Sequence, residues 1–204
     1  MKQRLISFFL LCITLFTLSG CSRKKEDETF ITRTTYMLNT IITINIYDST
    51  DESLLDGCLD ICKKYEELFS RTIDTSEIAR LNRGEIAEVS EDTTELIEKG
   101  LFYGKLTEGA FDISIEPVSS LWDFSSGSEH PLLPDSALLE AALKKVDYQK
   151  VQIQEHKVLF MEEGMSIELG AIAKGYIADK IKAYLIEQGV GSATINLGGN
   201  MLCV

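Results

Sequence analysis

Residues 166–199 read SIELGAIAKGYIADKIKAYLIEQGVGSATINLGG, and this stretch decides the fold. Its apolar residues predict a short strand over Ser166 to Leu169, a helix over Ala171 to Gln188 and another strand over Ala193 to Leu197. Gly170 lets the backbone turn tightly between the first strand and the helix. The stretch therefore predicts a helix that begins where one strand ends and leads into another strand.

The rest of the chain mixes helices and strands in no regular order. Ile42, Ile44 and Ile46 alternate with polar residues, which is the periodicity of a strand. Apolar side chains recur at helical spacing over residues 54–69. Further helices are predicted over 76–81, over 92–107 and after a cap at Asp135 or Ser136, and a hairpin is predicted over 151–160. Because strict β-α-β alternation is missing, the sequence predicts the α+β class, with a mixed or antiparallel sheet core and flanking helices.

Length, composition and charge narrow the class of protein. The chain has 204 residues, of which 45% are hydrophobic and 25% are charged, so it is long enough for one domain with a buried core. Twenty basic residues against 32 acidic residues give a formal net charge of −12. A general nucleic-acid binder neutralises phosphates with lysine and arginine, so we expect no nucleic-acid partner.

The first 21 residues have the pattern of a lipoprotein leader. Lys2 and Arg4 precede an almost wholly apolar stretch over 5–18, and the sequence LSGC, which ends at Cys21, is typical of a lipobox. Acyl chains on Cys21 would hold the protein stably on a membrane. An ordinary secretory signal or a membrane-spanning helix remains an alternative, although the apolar stretch is short for a span. The expected organisation is a signal peptide over 1–20, a lipidated cysteine with a charged tether over 21–33, and a domain over 34–204.

The start of the helix in the opening stretch has the features of a phosphate site. The first N–H groups of a helix have no partner within the helix, and the helix dipole makes this end positive. Lys174 adds a cation within the first turns, and Glu168 could accept a hydrogen bond from a ribose hydroxyl or a base. The spacing of Gly170 and Gly175 matches neither a Walker loop nor a GxGxxG motif. A purely structural glycine turn therefore remains open.

Two further groups of residues are candidates for chemistry. In residues 107–114 (TEGAFDIS), a glycine near Phe111 and Asp112 would let a planar ring approach and form a hydrogen bond, but Phe111 fits an apolar core equally well. Cys58 and Cys62 lie four residues apart on a predicted helix, hence on one face. With no histidine or further cysteine nearby, burial as small apolar residues is favoured over a metal site.

Four motifs together resemble one family. They are FSRTIDTSEIARLN at 69–82, TEGAFDISIEPVSSLW at 107–122, IELGAIAKGYIADK at 167–180 and INLGGN at 195–200. Their order and spacing are similar to those of the ApbE family, the FAD:protein FMN transferases, from about Thr34 to the last residue. The resemblance implies an ApbE-like fold related to the T-fold. It also implies Mg²⁺-dependent transfer of FMN from FAD to a threonine hydroxyl of a partner flavoprotein, with release of AMP.

The resemblance also assigns roles to individual residues. It implies FAD contacts at Met37, Thr72, Ala110, Phe111, Asp112, Glu168 and Lys174, and a metal ligand at the backbone carbonyl of Ala171. It identifies no catalytic side chain, because the family's remaining metal ligands and proposed base have no match before Val204. We therefore expect a domain that is apparently truncated at its C-terminus and has little transferase activity on its own.

The family context implies partners and a location. The expected partners are flavin-accepting subunits of membrane redox complexes or extracytoplasmic flavoproteins. Together with the lipobox, the resemblance implies a lipid-anchored protein on the extracytoplasmic face of the cell membrane. Two alternatives stay open: a membrane-anchored lipoprotein that binds FAD without transferase activity, and a cell-surface interaction protein with no small ligand.

Overall fold

The computed structural model describes residues 30–122 and 133–204. The predicted leader, Cys21 and most of the tether lie outside the described residues, so their roles stay predictions. Within the two described ranges, no helix has both the length and the apolar composition needed to cross a bilayer.

The strands among the described residues form two antiparallel sheets. The strands are β1 (Ile31–Met37), β2 (Thr40–Ile46), β3 (Val151–Gln154), β4 (Lys157–Phe160), β5 (Ala193–Leu197) and β6 (Asn200–Cys203). Strands β1, β2, β5 and β6 lie side by side in that order, and β3 and β4 form a separate hairpin. Strand β6 follows the turn at Gly198 and Gly199, both of which have a left-handed backbone. The antiparallel pairing agrees with the predicted sheet type.

Helices accompany the sheets along the chain. They are α1 (Ser53–Phe69), α2 (Glu77–Asn82), α3 (Glu91–Leu106), α4 (Glu116–Ser119), α5 (Ser136–Leu143) and α6 (Gly170–Glu187), with 3₁₀ turns at Ile113–Ile115 and Tyr148–Lys150. The side chains of Ser76 and Ser90 cap α2 and α3 by accepting hydrogen bonds from the N–H groups of Ala79 and Thr93. Helices and strands alternate irregularly, so the predicted α+β class is confirmed.

The core lies between the four-stranded sheet and the helices α1 and α6. Ile42, Ile44 and Ile46 of β2, together with Ile195 and Leu197 of β5, have no exposed surface. Helix α1 packs against β1, and α6 packs against β5 and β6. Burying a side chain of this size contributes roughly 1.5–3 kcal/mol, so the inner face of the two central strands is a major source of stability.

Helices α1 and α6 cross closely at Gly57, where a Cβ atom would overlap the ring of Tyr184. Cys58 and Cys62, also on α1, have no exposed surface, and burial raises the pKa of each thiol to about 12. Both thiols are therefore protonated at neutral pH and act as small apolar residues. In the described part of the chain, no three His, Cys, Asp or Glu side chains form a group that could hold a metal ion.

The segment before α6 corrects the strand predicted over Ser166 to Leu169, because these residues join neither sheet. The N–H of Ile167 donates to Oδ1 of Asn82, and Nδ2 of Asn82 donates to the carbonyl oxygen of Ile167, both at 2.9 Å. The N–H of Glu168 donates to the carbonyl oxygen of Ile113 at 2.8 Å. The side-chain amide of Asn82 thus replaces a neighbouring strand as the hydrogen-bond partner of the backbone at Ile167. Apolar periodicity alone cannot reveal such a partner.

Candidate active site

A cleft of about 470 Å³ opens between the β1–β2 turn, the carboxyl end of α1 and the amino end of α6. It is termed the hairpin cleft. Three of the predicted FAD contacts, Thr72, Glu168 and Lys174, line it. Its walls also include Tyr36, Leu38, Asn39, Tyr65, Glu66, Phe69 and Arg71.

A second cleft of about 490 Å³, termed the α3 cleft, lies between α3 and α6. It contains two further residues of the predicted site, Phe111 and Ala171. The ring of Phe111 packs edge to face against the ring of Tyr103, with the ring centroids 6.2 Å apart. Asp179 adds a carboxylate to the same cleft. The structure therefore divides five of the eight predicted site residues between two neighbouring clefts.

The amino end of α6 separates the two clefts. Gly170 lines the hairpin cleft, and Ala171 lines the α3 cleft. No side chain caps the helix, and within 30–122 and 133–204 the N–H groups of these two residues have no acceptor. Gly170 has no left-handed backbone, so the chain enters the helix without the positive φ that favours glycine. A Cβ atom there would instead lie 3.3 Å from Oε1 of Glu168, and the small residue lets this carboxylate lie close to the helix start.

Lys174 adds a positive charge to this end of α6. Its side chain is half-buried and lines the hairpin cleft. Among the described residues it makes no ion pair, whereas the other cation of the cleft, Arg71, faces two carboxylates. Lys174 and the positive end of the helix dipole therefore favour an anion at the same place.

Glu168 and Arg71 of the hairpin cleft belong to a charged cluster that extends to Glu116, which lies outside the lining of the cleft. Oγ of Ser119 donates to Oε2 of Glu168 at 2.5 Å and lies 3.1 Å from Oε2 of Glu116. Nε of Arg71 lies 3.6 Å from Oε1 of Glu168, and Nη1 of Arg71 donates to Oε1 of Glu116 at 3.3 Å. Burial raises the pKa of Glu116. Sequence reasoning missed Arg71 and Glu116, which lie inside the quoted motifs but whose pairing depends on the fold.

The raised pKa of Glu116 predicts a pH-dependent effect of Glu116→Gln. Because the folded state holds this proton more tightly, the contribution of Glu116 to stability is complete below its ordinary pKa of 4.5 and is lost as the pH rises through the folded pKa. We expect the free energy of unfolding of the variant to increase relative to that of the unaltered protein as the pH rises from about 4 to about 7. Urea unfolding across this range measures the difference, with the exposed Glu98→Gln as the control. A difference that stays constant with pH would contradict the prediction.

The β1–β2 turn forms one wall of the hairpin cleft. Leu38 and Asn39 both have φ of 55°, the left-handed conformation of a two-residue hairpin turn. The N–H of Leu38 donates to Oε1 of Glu66 on α1 at 2.8 Å, and the hydroxyl of Tyr36 donates to Oδ1 of Asn39 at 2.6 Å. Met37 packs against the core and lines neither cleft, so the structure does not bring it to the other predicted FAD contacts.

Ala110 and Asp112 also lie outside the lining of both clefts. Oδ1 of Asp112 accepts hydrogen bonds from the N–H and Oγ of Ser114 at 2.7 and 2.6 Å, and Oδ2 accepts one from the N–H of Tyr148 at 2.9 Å. Oγ of Ser114 in turn accepts from the N–H of Asp147 at 2.8 Å. Asp112 thus joins two segments of the chain, and its contact with FAD stays a prediction.

A polar and aromatic group links α1, α3 and α6 between the clefts. The hydroxyl of Tyr65, in the hairpin cleft, donates to Oδ1 of Asp92 at 3.1 Å. The hydroxyl of Tyr176, in the α3 cleft, donates to Oε2 of Glu95 at 2.6 Å and lies 3.1 Å from Oδ1 of Asp92. The two tyrosine rings pack edge to face, with centroids 5.5 Å apart. Burial raises the pKa of both tyrosines, so both hydroxyls stay protonated and act as donors. Side chains from α1, α3 and α6 therefore together stabilise the wall between the clefts.

Comparison with known protein families decides the family. A family model described as the ApbE family matches residues 38–204. This chain belongs to the ApbE family. The match includes the residues that line both clefts from Leu38 onwards.

Curated members of the ApbE family resemble the chain over part of their length. The FAD:protein FMN transferase of Klebsiella pneumoniae (strain 342) is 32% identical over 181 residues, which cover 86% of this chain and 56% of that protein. The FAD:protein FMN transferase of Treponema pallidum (strain Nichols) is 28% identical over 209 residues, which cover 96% of this chain and 57% of that protein. The chain therefore spans a little more than half the length of these relatives, which are transferases.

Solved structures of ApbE proteins share the fold. The flavin transferase ApbE from Vibrio cholerae matches with a TM-score of 0.77 at 20% identity, over 85% of this chain and 59% of that chain. The ApbE protein from Thermotoga maritima matches with a TM-score of 0.76 at 26% identity, over 85% of this chain and 58% of that chain. The ApbE-like α+β fold expected from the sequence is confirmed.

Proposed function

We propose that this ApbE-family chain is a FAD:protein FMN transferase, which moves FMN from FAD to a threonine hydroxyl of a partner flavoprotein and releases AMP. The observation that carries the proposal is the amino end of α6, where two uncapped N–H groups and Lys174 lie between two clefts. FAD has a pyrophosphate between two planar ring systems, so its three parts match an anion site with a cleft on either side. This local attraction is needed because the net charge of −12 repels an anion.

The side chains of the clefts suit the remaining parts of FAD. Thr72 and Glu168 offer a hydroxyl and a carboxylate to sugar or base groups in the hairpin cleft, and Phe111 offers a ring in the α3 cleft. Met37, Ala110 and Asp112 belong to the proposed FAD site on the family resemblance alone.

We propose Mg²⁺ as the metal of the reaction. The α3 cleft contains the exposed Ala171 and the carboxylate of Asp179, and both residues offer oxygen atoms. Mg²⁺ takes oxygen ligands and is commonly held by one or two carboxylates together with substrate phosphates. Ala171 and Asp179 are eight positions apart on α6, about 12 Å along the helix, so either residue would bind the ion together with the FAD phosphates and the two would not bind it as a pair. A Mg²⁺ ion bound there would polarise the pyrophosphate and neutralise charge on the leaving AMP.

The chemical step is a transfer between two oxygen atoms. The threonine oxygen forms a bond to the phosphorus of FMN while the phosphoanhydride bond to AMP breaks, and the hydroxyl proton passes to a base. Lys174 and the N–H groups of Gly170 and Ala171 hold the phosphates and stabilise the negative charge that builds on them.

A second candidate function is binding of FAD without cleavage, by a membrane-anchored lipoprotein. It is favoured by the contacts of the carboxylates in the hairpin cleft. Two carboxylates line this cleft among the described residues, and both already have partners: Arg71 and Ser119 contact Glu168, and Oε1 of Glu66 accepts the N–H of Leu38.

We propose flavin-accepting subunits of membrane redox complexes, or extracytoplasmic flavoproteins, as the partners. We also propose a lipid anchor at Cys21 on the extracytoplasmic face of the cell membrane. The LSGC sequence that ends at Cys21 and the apolar stretch before it support this location.

One experiment separates the two functions. The protein is mixed with FAD and Mg²⁺, flavin fluorescence reports binding, and chromatography reports free AMP and flavin on a threonine-containing acceptor peptide. Binding with AMP release and a labelled peptide is the result expected of a transferase. Binding without AMP release would instead support the second function, and no binding at all would overturn both.

A further inference from the structure

Three aromatic side chains occur among the described residues that line the hairpin cleft, and they differ in how much of each ring is exposed. Tyr65 and Phe69 are 4% and 5% exposed, because their rings pack into the core. Tyr36 is 67% exposed and lines the same cleft. Tyr36 is therefore the aromatic residue of the described cleft lining that can offer a ring face to a bound molecule.

The ring of Tyr36 is held in place from its hydroxyl end. The hydroxyl donates to Oδ1 of Asn39 at 2.6 Å, across the two-residue turn. The β1–β2 turn is itself fixed to α1, because the N–H of Leu38 donates to Oε1 of Glu66 at 2.8 Å. An exposed tyrosine on a strand normally keeps rotamer freedom, and this chain of two hydrogen bonds removes part of it before a ligand arrives.

We propose that Tyr36 is a binding residue for a planar ring of FAD, and that Asn39 is the positioning residue that orients it. The inference rests on the proposed function and names one contact within that site. The cleft that contains Tyr36 also contains Lys174, so a ring against Tyr36 and phosphates near Lys174 can belong to one molecule. Stacking on an aromatic ring does not depend on the identity of the heterocycle, so both the flavin ring and the adenine ring satisfy this contact.

A merely structural role for Tyr36 predicts a different result. Tyr36 is paired with Ile41 across the β1–β2 hairpin, and cross-strand pairs of this kind contribute to stability. If stability were the whole role, a substitution would change the free energy of unfolding and leave the affinity of the folded protein for FAD unchanged.

The test compares four variants of the whole protein by titration with FAD, followed by flavin fluorescence, and by urea unfolding. We expect Tyr36→Leu to weaken FAD binding about tenfold, and Tyr36→Phe, which keeps the ring, to weaken it about threefold or less. Asn39→Gly keeps a residue that suits the left-handed turn but removes the acceptor for the Tyr36 hydroxyl. We expect it to weaken FAD binding about threefold without lowering the free energy of unfolding. Tyr47→Leu is the control, because Tyr47 is a 47% exposed tyrosine outside the lining of both clefts.

Titrations with FMN and with ADP identify the ring. The fragment whose affinity falls in Tyr36→Leu carries the ring that stacks on Tyr36. If FAD and both fragments bind Tyr36→Leu as tightly as they bind the unaltered protein, the inference is overturned and the proposed function stands. If the unaltered protein does not bind FAD, the proposed function itself fails.

Discussion

Lys174→Glu is expected to lower the affinity for FAD about 100-fold. A hydrogen bond to a charged group contributes roughly 1.5–3 kcal/mol, which corresponds to a factor of roughly 10 to 150, and the new carboxylate also repels the phosphates. Lys174 makes no ion pair among the described residues, so the folded protein loses little when the charge is reversed. Calorimetric titration with FAD in the presence of Mg²⁺ measures the change.

The control for this prediction is Lys63→Glu, which makes the same change of charge on the exposed surface of α1, outside both clefts. We expect it to alter the affinity by less than about threefold at physiological salt, because screening removes most of the long-range effect. Equal losses of affinity in the two variants would show that net charge, and not the start of α6, decides binding.

Asp112→Ala is expected to lower the free energy of unfolding by about 3 kcal/mol. The carboxylate accepts three hydrogen bonds, from the N–H and Oγ of Ser114 and from the N–H of Tyr148, and each contributes about 1 kcal/mol. Ser114 has no exposed surface, so water replaces the lost acceptor poorly. Urea unfolding without FAD measures this effect separately from any effect on binding.

Asp74→Ala is the matched control for Asp112→Ala, because the side chain of Asp74 is 99% exposed and its contact with Arg83 is long, at 3.8 Å. We expect the control to change the free energy of unfolding by less than about 0.5 kcal/mol. Asp112→Ala could instead lower the free energy of unfolding as little as the control and still weaken FAD binding. That result would show that Asp112 acts in binding and that its hydrogen bonds within the protein are not important for stability.

The regular elements of this fold are predictable from the sequence because their signals are local. The alternation of Ile42, Ile44 and Ile46 marks β2, and the helices that Ser76 and Ser90 cap have bounds within one residue of those expected. The same reasoning wrongly predicted a strand at 166–169. Its apolar pattern comes from a buried extended chain, and whether such a chain pairs with a strand or with Asn82 depends on residues about 85 positions away.

The candidate site is predictable from the sequence only where its residues are close together along the chain. Glu168 and Lys174 line the same cleft because Glu168 lies two residues before α6 begins and Lys174 lies within its first turns, and sequence spacing reveals this. Arg71 and Glu116 are 45 positions apart and meet only in the folded chain, so no periodicity connects them. The orientation of Tyr36 likewise depends on the left-handed backbone of Asn39, which no motif in the sequence specified.

The order of strands in the sheet has a consequence for synthesis of the protein. Strand β2 pairs on one side with its neighbour β1 but on the other side with β5, and Asn45 and Thr194, which hydrogen-bond across that second pairing, are 149 positions apart. A ribosome adds roughly 5–20 residues per second, so the nascent β2 waits on the order of 10 s for its second partner. During that interval an apolar strand has an open edge, which is the feature through which nascent chains pair with one another. Strand β2, whose three inner isoleucines have no exposed surface in the finished protein, is thus a strand that needs protection until β5 has been made.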